Sequence, residues 1–365
     1  PYKLRPIEKL IDGHAILPPE LLKLAHWISD YYQSPLSEVL RAMLPKKVRL
    51  GMPLTLPSTS YYNLTKQDTS TLSGKKQLEL VDFVTKQKDE VSWERLKQQG
   101  VSKASLQTLL NKNILIEKQS PITPPCSSQT YPPLQLNEEQ LHVVDTISQA
   151  LDTFQTYLLF GITGSGKTEV YFHIMEKVLR SDKQVLILVP EIGLTPQFIQ
   201  RVFNRFNHPV ATLHSNLNDT ERLTNWLWCS QNKARIVIGT RSAVFTPLAN
   251  LGLVIIDEEH DLSFKQQDSV RFSGRDVAIK RAYDKNIPVI LGSGTPALET
   301  LYNAESGKYK MLKLTKRARA SEPVYFRIAD LRNQKVIDGI CNLSLARIKA
   351  HLEMGNHVMV FINRR

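Results

Sequence analysis

Apolar residues follow several different rhythms along this chain of 365 residues. In "PPELLKLAHWISDYY" they recur at helical spacing, so Leu21, Leu24, Ala25 and Ile28 share one face, and Pro18 and Pro19 suit the entry of a helix. Residues 51–74 lose that spacing; they are polar and turn-rich and read as a loop or linker. From residue 75 to 119 three short amphipathic stretches follow, "KKQLELVDFVTKQ", "VSWERLKQQG" and "VSKASLQTLLNKN", with Gly100 at a turn and Ser102 placed to cap the third. The run "ILIEKQ" then reads as a strand, and three helices plus a strand outline a winged helix-turn-helix with a polar, Lys-bearing third helix. The same outline also suits a spacer or a protein-contact module.

Residues 120–134, "SPITPPCSSQTYPP" in the main, form a Pro/Ser-rich linker and mark the clearest boundary. Beyond it short Val/Ile/Leu-rich runs alternate with helical stretches: "TYLLFGI", "QVLILVP", "ARIVIGT", "LGLVIID" and "IPVILGS". That alternation predicts an α/β lobe, a parallel sheet covered by helices on both faces. The division expected is therefore 1–50, 51–74 (linker), 75–119 (winged-helix-like), 120–134 (linker), 135–335 (an ATP-binding lobe) and 336–365, the start of a second lobe. The chain opens at Pro1 without Met and closes on "VMVFINRR", an apolar strand followed at once by arginines, which reads as a cut inside a domain.

Composition adds a partner class. Hydrophobic residues at 42% and charged residues at 22% are ordinary for a globular chain, but a net charge of +12 and a pI near 9.5 favour a polyanion, nucleic acid ahead of a membrane surface. Cys126, Cys229 and Cys341 are far apart and match no zinc or redox spacing, so they read as reduced thiols of a cytoplasmic protein. No apolar run approaches membrane-spanning length.

Two motifs carry chemistry. "GITGSGKT", residues 161–168, fits the P-loop pattern between a predicted strand and a predicted helix. Gly161, Thr163, Gly164, Ser165 and Gly166 would wrap backbone N–H groups around the phosphates of ATP, Lys167 would reach the β- and γ-phosphates, and the Thr168 hydroxyl would ligate Mg²⁺. "LGLVIIDEEH" then delivers Asp257 to the end of a buried strand, to hold Mg²⁺ directly or through water, with Glu258 next to it to orient or deprotonate the attacking water.

Asp-Glu-Glu-His is the form found in superfamily 2 helicases and translocases, and further pieces fall into order around it. Gln140 in "LNEEQ" resembles a glutamine that contacts adenine. "VPEIGLTPQ", with Thr195, and "GTRSAVFTPL", with Thr240 and Arg241, resemble loops that hold a nucleic-acid backbone; "GSGTPALETL", with Ser293 and Thr295, resembles the motif linking hydrolysis to movement. Together with "LHSNLNDTERL" and "IIDEEHDLSFKQQD", these stretches resemble the primosomal replication-restart helicases over most of the chain, and residues 1–50 resemble the end of that family's N-terminal DNA-binding domain.

The resemblance implies a RecA-like P-loop lobe and an ATP-dependent 3′→5′ DNA helicase, acting as a monomer on stalled or abandoned forks and initiating primosome assembly. It implies as partners DNA forks and junctions, other primosome proteins, single-stranded DNA-binding protein and a replicative helicase loader. It also implies an aromatic-rich loop that senses DNA, here Phe264 to Phe272, with Phe264 and Phe272 stacking on bases or packing under the loop and Lys265 and Arg271 meeting phosphates. Arg275 and Asp276 begin the next helix and read as structural. Ser293-Gly294-Thr295 stands where the family has Ser-Ala-Thr. The family's cysteine cluster for two Zn²⁺ ions and its arginine finger match no residues here, so the expectation is weak nucleotide binding without efficient hydrolysis or unwinding by these 365 residues. Two other readings share the motifs in part: a structure-specific DNA adaptor for primosome loading, and another superfamily 2 DNA translocase.

Overall fold

The computed structural model describes residues 9–10, 13, 15–65, 74–87, 90–127, 131–318, 326–332 and 336–361. They divide into two compact units at Arg319/Ala320. In the first unit helices α1 (Pro19–Tyr31), α2 (Leu36–Met43) and α3 (Lys46–Arg49) come first. The helical stripe expected from the sequence is the buried one: Leu21, Leu24, Ala25 and Ile28 face inward. What covers them is the α/β lobe itself, because they share one hydrophobic cluster with Val244, Phe245, Leu248, Val277 and Ala278. Glu20 on α1 is gripped by Arg281 and Lys285, 261 residues and more along the chain, and the buried Arg281 also donates to the Val244 carbonyl at 2.8 Å.

Strand β1 (Ser58–Leu64) is the first departure from expectation, since it lies in the segment read as a linker. It pairs antiparallel with β2 (Val91–Ser92) and, over seven residues, with β3 (Leu115–Pro121). Its run "STSYYNL" buries only Tyr62, so the sequence shows little alternation; its backbone is held by the long ladder to β3. The helices α4 (Lys75–Lys86), α5 (Trp93–Gln98) and α6 (Lys103–Asn111) pack on this sheet. Ser102 caps α6 by accepting from Ser105 N, and Gly100 turns with φ +75°. Tyr62, Leu80, Val84, Leu96, Leu106, Leu109 and Leu115 form a core separate from that of the lobe. The proline-rich linker that follows is pinned rather than free: Trp228 Nε1 donates to Ile122 O, Val210 N to Pro125 O and Tyr131 N to Asn204 O.

The lobe runs α7 (Glu138–Ser148), β4 (Thr156–Gly161), α8 (Lys167–Arg180), β5 (Gln184–Leu188), α9 (Pro196–Arg205), β6 (Val210–Leu213), α10 (Asp219–Ser230), β7 (Ile236–Gly239), β8 (Leu251–Asp257), α11 (Gly274–Lys285), β9 (Val289–Ser293), α12 (Leu298–Glu305) and β10 (Lys310–Leu314). Seven parallel strands stand in the order β10-β4-β9-β8-β5-β7-β6, with a separate apolar cluster on each face. This is a RecA-like lobe, and its strand order does the essential work. It sets β4, β9 and β8 side by side, pairing Phe160 with Ser293 and Asp257 with Gly292, so the P-loop, the Ser-Gly-Thr turn and the acidic cluster leave neighbouring strand ends.

In the second unit β11 (Val336–Ile337) and β12 (Ile340–Cys341) form a two-residue hairpin ahead of α13 (Asn342–Glu353). The "VMVF" part of the expected closing strand has no strand conformation, and residues 362–365 lie outside the described residues. A strand needs a partner ladder, and this unit's described residues offer only that short hairpin. Among the described residues no helix is long and apolar enough to cross a membrane.

Candidate nucleotide site and nucleic-acid interface

The P-loop turns sharply between β4 and α8 because Gly164 and Gly166 adopt φ +81° and +85°, a left-handed backbone that a side chain resists. Gly166 is needed for space too: a Cβ there would lie 2.3 Å from Gln140 Nε2. Lys167 Nζ donates to the Gly161 carbonyl at 2.8 Å, and Ser165 Oγ is buried without a hydrogen-bond partner. A buried orphan hydroxyl is costly unless something supplies its bond. The left-handed glycines, the orphan Ser165 hydroxyl and the ammonium of Lys167 at a helix start suit a polyphosphate. Thr168 follows Lys167 in the first turn of α8, while Thr163 sits in the loop.

Gln140 is placed differently from expectation. It is 3% exposed; its Nε2 donates to Ser165 O at 2.8 Å, and its Oε1 accepts from Asn137 N in a capping box. It braces the P-loop from the start of α7 and does not present its amide openly to a base. Glu139 beside it accepts from Thr315 N, Thr315 Oγ1 and Lys316 N, and those bonds, the Thr315 hydroxyl first, lower its carboxyl pKa. Ala318 N donates to Gly164 O, so the chain leaving β10 is fastened to the P-loop.

Asp257 ends β8. Burial pushes its carboxyl above the ordinary carboxylate range, opposed by a hydrogen bond from Tyr171 and by the charge of Lys167. Glu258 is held at φ +47° and its side chain is 45% exposed, so the two acids differ in environment although adjacent. Glu259 has a third setting: fully buried, it accepts from Arg275 Nη1 (2.9 Å), Thr300 Oγ1 (2.8 Å) and Ala297 N (2.8 Å). It ties the acidic cluster to α11 and α12. His260 Nδ1 lies 2.8 Å from Ser293 Oγ and 3.7 Å from Glu258 Oε2, and Thr295 N donates to Ser293 Oγ. The Ser-Gly-Thr turn is thus joined to the acidic cluster through a histidine. Among the described residues no group of three or more His, Cys, Asp or Glu is arranged to hold a metal; Thr168 and Asp257 remain the oxygen donors expected for Mg²⁺, which typically takes only one or two protein carboxylates beside phosphate and water.

The residues expected to face DNA separate into two sets. Phe264 and Phe272 are 2% and 5% exposed, and Phe272 packs on Phe245 with ring centroids 5.0 Å apart. This corrects the base-stacking expectation in favour of packing under the loop: with Val270 the two rings anchor an otherwise polar segment, and burial removes them from water. Lys265 bridges to Ser273 and Gln266 N donates to Phe272 O, which closes a narrow loop. Lys265, Gln267 and Arg271 are exposed on it. Arg241 is also turned inward: its Nη1 donates to the Ser263 and Lys265 carbonyls at 2.8 and 3.1 Å, and burial lowers its pKa. Thr240 is buried, and Thr195 caps α9 by accepting from Phe198 N. Beside the loop, a cleft of about 580 Å³ opens between α2–α3 and the lobe. Arg41, Lys46, Arg49 and Arg222 line it, Lys46 paired with Asp219 at 3.2 Å.

Residues 137–304 match the DEAD/DEAH box helicase family, and residues 1–45 match a 3′ DNA-binding domain named for PriA. The replication restart protein PriA of Haemophilus influenzae is 40% identical over all of this chain, which covers 51% of that protein. Its namesake in Chlamydia pneumoniae is 35% identical, again over all of this chain and 51% of the relative. This chain belongs to the PriA family. The namesake in Bacillus subtilis is 37% identical over 74% of this chain and 35% of its own length. The chain spans about half the length of the first of these family members.

Four residues that shape the candidate site from around it escaped the sequence reading: Glu259, His260, Tyr171 and Glu139. Glu259 and His260 sit inside a motif whose spacing was recognised, but nothing local says which acid turns inward. Tyr171 carried a helical-period signal, four residues beyond Lys167, without any hint of its partner.

Proposed function

We propose that the protein is an ATP-dependent 3′→5′ DNA helicase of replication restart, which recognises stalled or abandoned forks and initiates primosome assembly. The observation that carries the reading is the convergence, on three adjacent strand ends, of a P-loop with an orphan buried hydroxyl, the Asp257–Glu258 pair and the His260–Ser293 link. The relatives are replication restart proteins, and their name supports taking the reading from a DNA helicase to one that acts in restart.

In this reading the P-loop N–H groups and Lys167 hold the phosphates, and Thr168 and Asp257 hold Mg²⁺, which supplies charge neutralisation on the phosphates. Glu258, exposed toward solvent, orients the attacking water. His260 passes a change at Glu258 to Ser293 and Thr295. Lys265 and Arg271 on the loop, with Arg41, Arg49 and Arg222 in the cleft, meet the DNA backbone. The partners are forked DNA, other primosome proteins, single-stranded DNA-binding protein and a helicase loader. The test is ATP turnover of the complete gene product with forked, single-stranded and duplex DNA. Fork-stimulated turnover, abolished in Lys167→Ala with fork binding retained, is expected; no stimulation by any of the three overturns the reading.

The separate core of residues 58–121, with α6 presenting exposed Lys103 and Gln107, favours a second reading as a fork-binding adaptor for primosome loading. Restart by Lys167→Ala equal to that of the parent would favour it.

A further inference from the structure

Tyr171 stands four residues beyond Lys167, about one turn along α8, so the helix that begins at Lys167 also carries a phenol toward the sheet. That side chain is 1% exposed, and its hydroxyl donates to Asp257 Oδ1 at 2.9 Å. Space for the bond exists only because the neighbouring strand has no side chain there. Asp257 pairs with Gly292, and a Cβ at Gly292 would stand 1.6 Å from the Tyr171 hydroxyl and 3.3 Å from Asp257 Oδ1. Three elements, α8, β8 and β9, therefore shape one slot for one hydroxyl.

A buried tyrosine that served packing alone would leave its hydroxyl to any acceptor. This one goes to the single carboxylate that the nucleotide reading assigns to Mg²⁺. A donor fixed on one oxygen sets the rotation of the carboxylate, and outer partners of this kind govern how well a ligand meets its metal. We infer that Tyr171 is a positioning residue for the metal–nucleotide complex, holding Asp257 in the orientation that receives Mg²⁺, with Gly292 keeping the slot open. The inference rests on the nucleotide reading of the P-loop. It also gives α8 a second role: a shift of the P-loop helix on phosphate binding moves the donor that orients Asp257.

The test uses a fluorescent N-methylanthraniloyl ADP as probe, titrated into this chain with EDTA and then with rising Mg²⁺. Tyr171→Phe keeps the ring and removes only the donor. Its affinity for the probe in EDTA is expected to stay within about twofold of the parent, while the Mg²⁺ midpoint rises about tenfold. Gly292→Ala, which leaves Tyr171 in place but fills its slot, is expected to raise the midpoint in the same way. Its effect is smaller in the Tyr171→Phe background, where the displaced hydroxyl is gone. Thermal melting of each variant identifies loss of folding; should one variant not fold, the other carries the test. An unchanged Mg²⁺ midpoint in a folded Tyr171→Phe chain overturns the inference and leaves the nucleotide reading intact. Parent protein that binds no probe, or a Lys167→Ala chain that binds it equally well, overturns both.

Discussion

The two ends of the segment from Asp257 to Phe272 handle their side chains in opposite ways. At the first end Asp257 is half-buried at a strand end with its carboxyl pKa raised by desolvation, Glu258 is more open to solvent, and a buried Ser165 hydroxyl lacks a partner nearby. At the second end the rings are 2% and 5% exposed and the Arg241 guanidinium is bonded to two loop carbonyls. Unsatisfied or desolvated polar groups are unfavourable for folding and are retained where a ligand completes them; buried aromatic rings stabilise whatever carries them. The difference teaches that the aromatic residues fasten the loop to the lobe, while only its polar crown is free to meet a partner. Glu259, between the two ends, belongs with the fasteners.

Three substitutions sharpen this contrast. Glu259→Ala removes the acceptor of three donors and leaves Arg275 charged in the interior; a loss of about 3–5 kcal/mol in urea unfolding is expected. Should it instead melt like the parent, the hub role fails. Phe272→Ala is expected to cost about 3–4 kcal/mol, because a buried aromatic ring is removed from against Phe245. A Phe272→Ala protein of parental stability that has lost DNA binding would return the ring to the bases. Arg271→Ala is the mildest: stability is unchanged within about 0.5 kcal/mol, as for exposed sites. DNA affinity falls across all sequences, and the slope of log affinity against log salt drops by about 1. An unaltered salt slope would remove Arg271 from the interface.

The same contrast applies to the two small N-terminal regions. Both read from sequence as short amphipathic helices, yet residues 58–121 close on a core of their own and residues 17–48 complete the core of the lobe. Helical periodicity reports that a face is buried and is silent about what buries it. Leu24 and Leu109 carry equivalent local patterns and end in different cores.

The chain's own order of residues determined five of the lobe's seven strands, the three helices and closing strand of residues 75–121, the P-loop motif and the acidic strand end. Each of these depends on spacings of a few residues: period 2 or 3.6 in apolar positions, glycines at a turn, a lysine at a helix start. Strands β6 (Val210–Leu213) and β10 (Lys310–Leu314), short runs at the sheet's two edges, were not legible in it. The tertiary structure alone decided the rest. Tyr171 meets Asp257 across 86 positions, Gln140 braces Ser165 across 25, and Glu20 meets Arg281 across 261. Such pairs are set by strand order and helix docking, which place side chains in contact irrespective of their distance along the chain. The aromatic loop shows the point most plainly: its composition suits either bases or a core, and the apolar surface of Phe245 and its neighbours supplied the nearer partner.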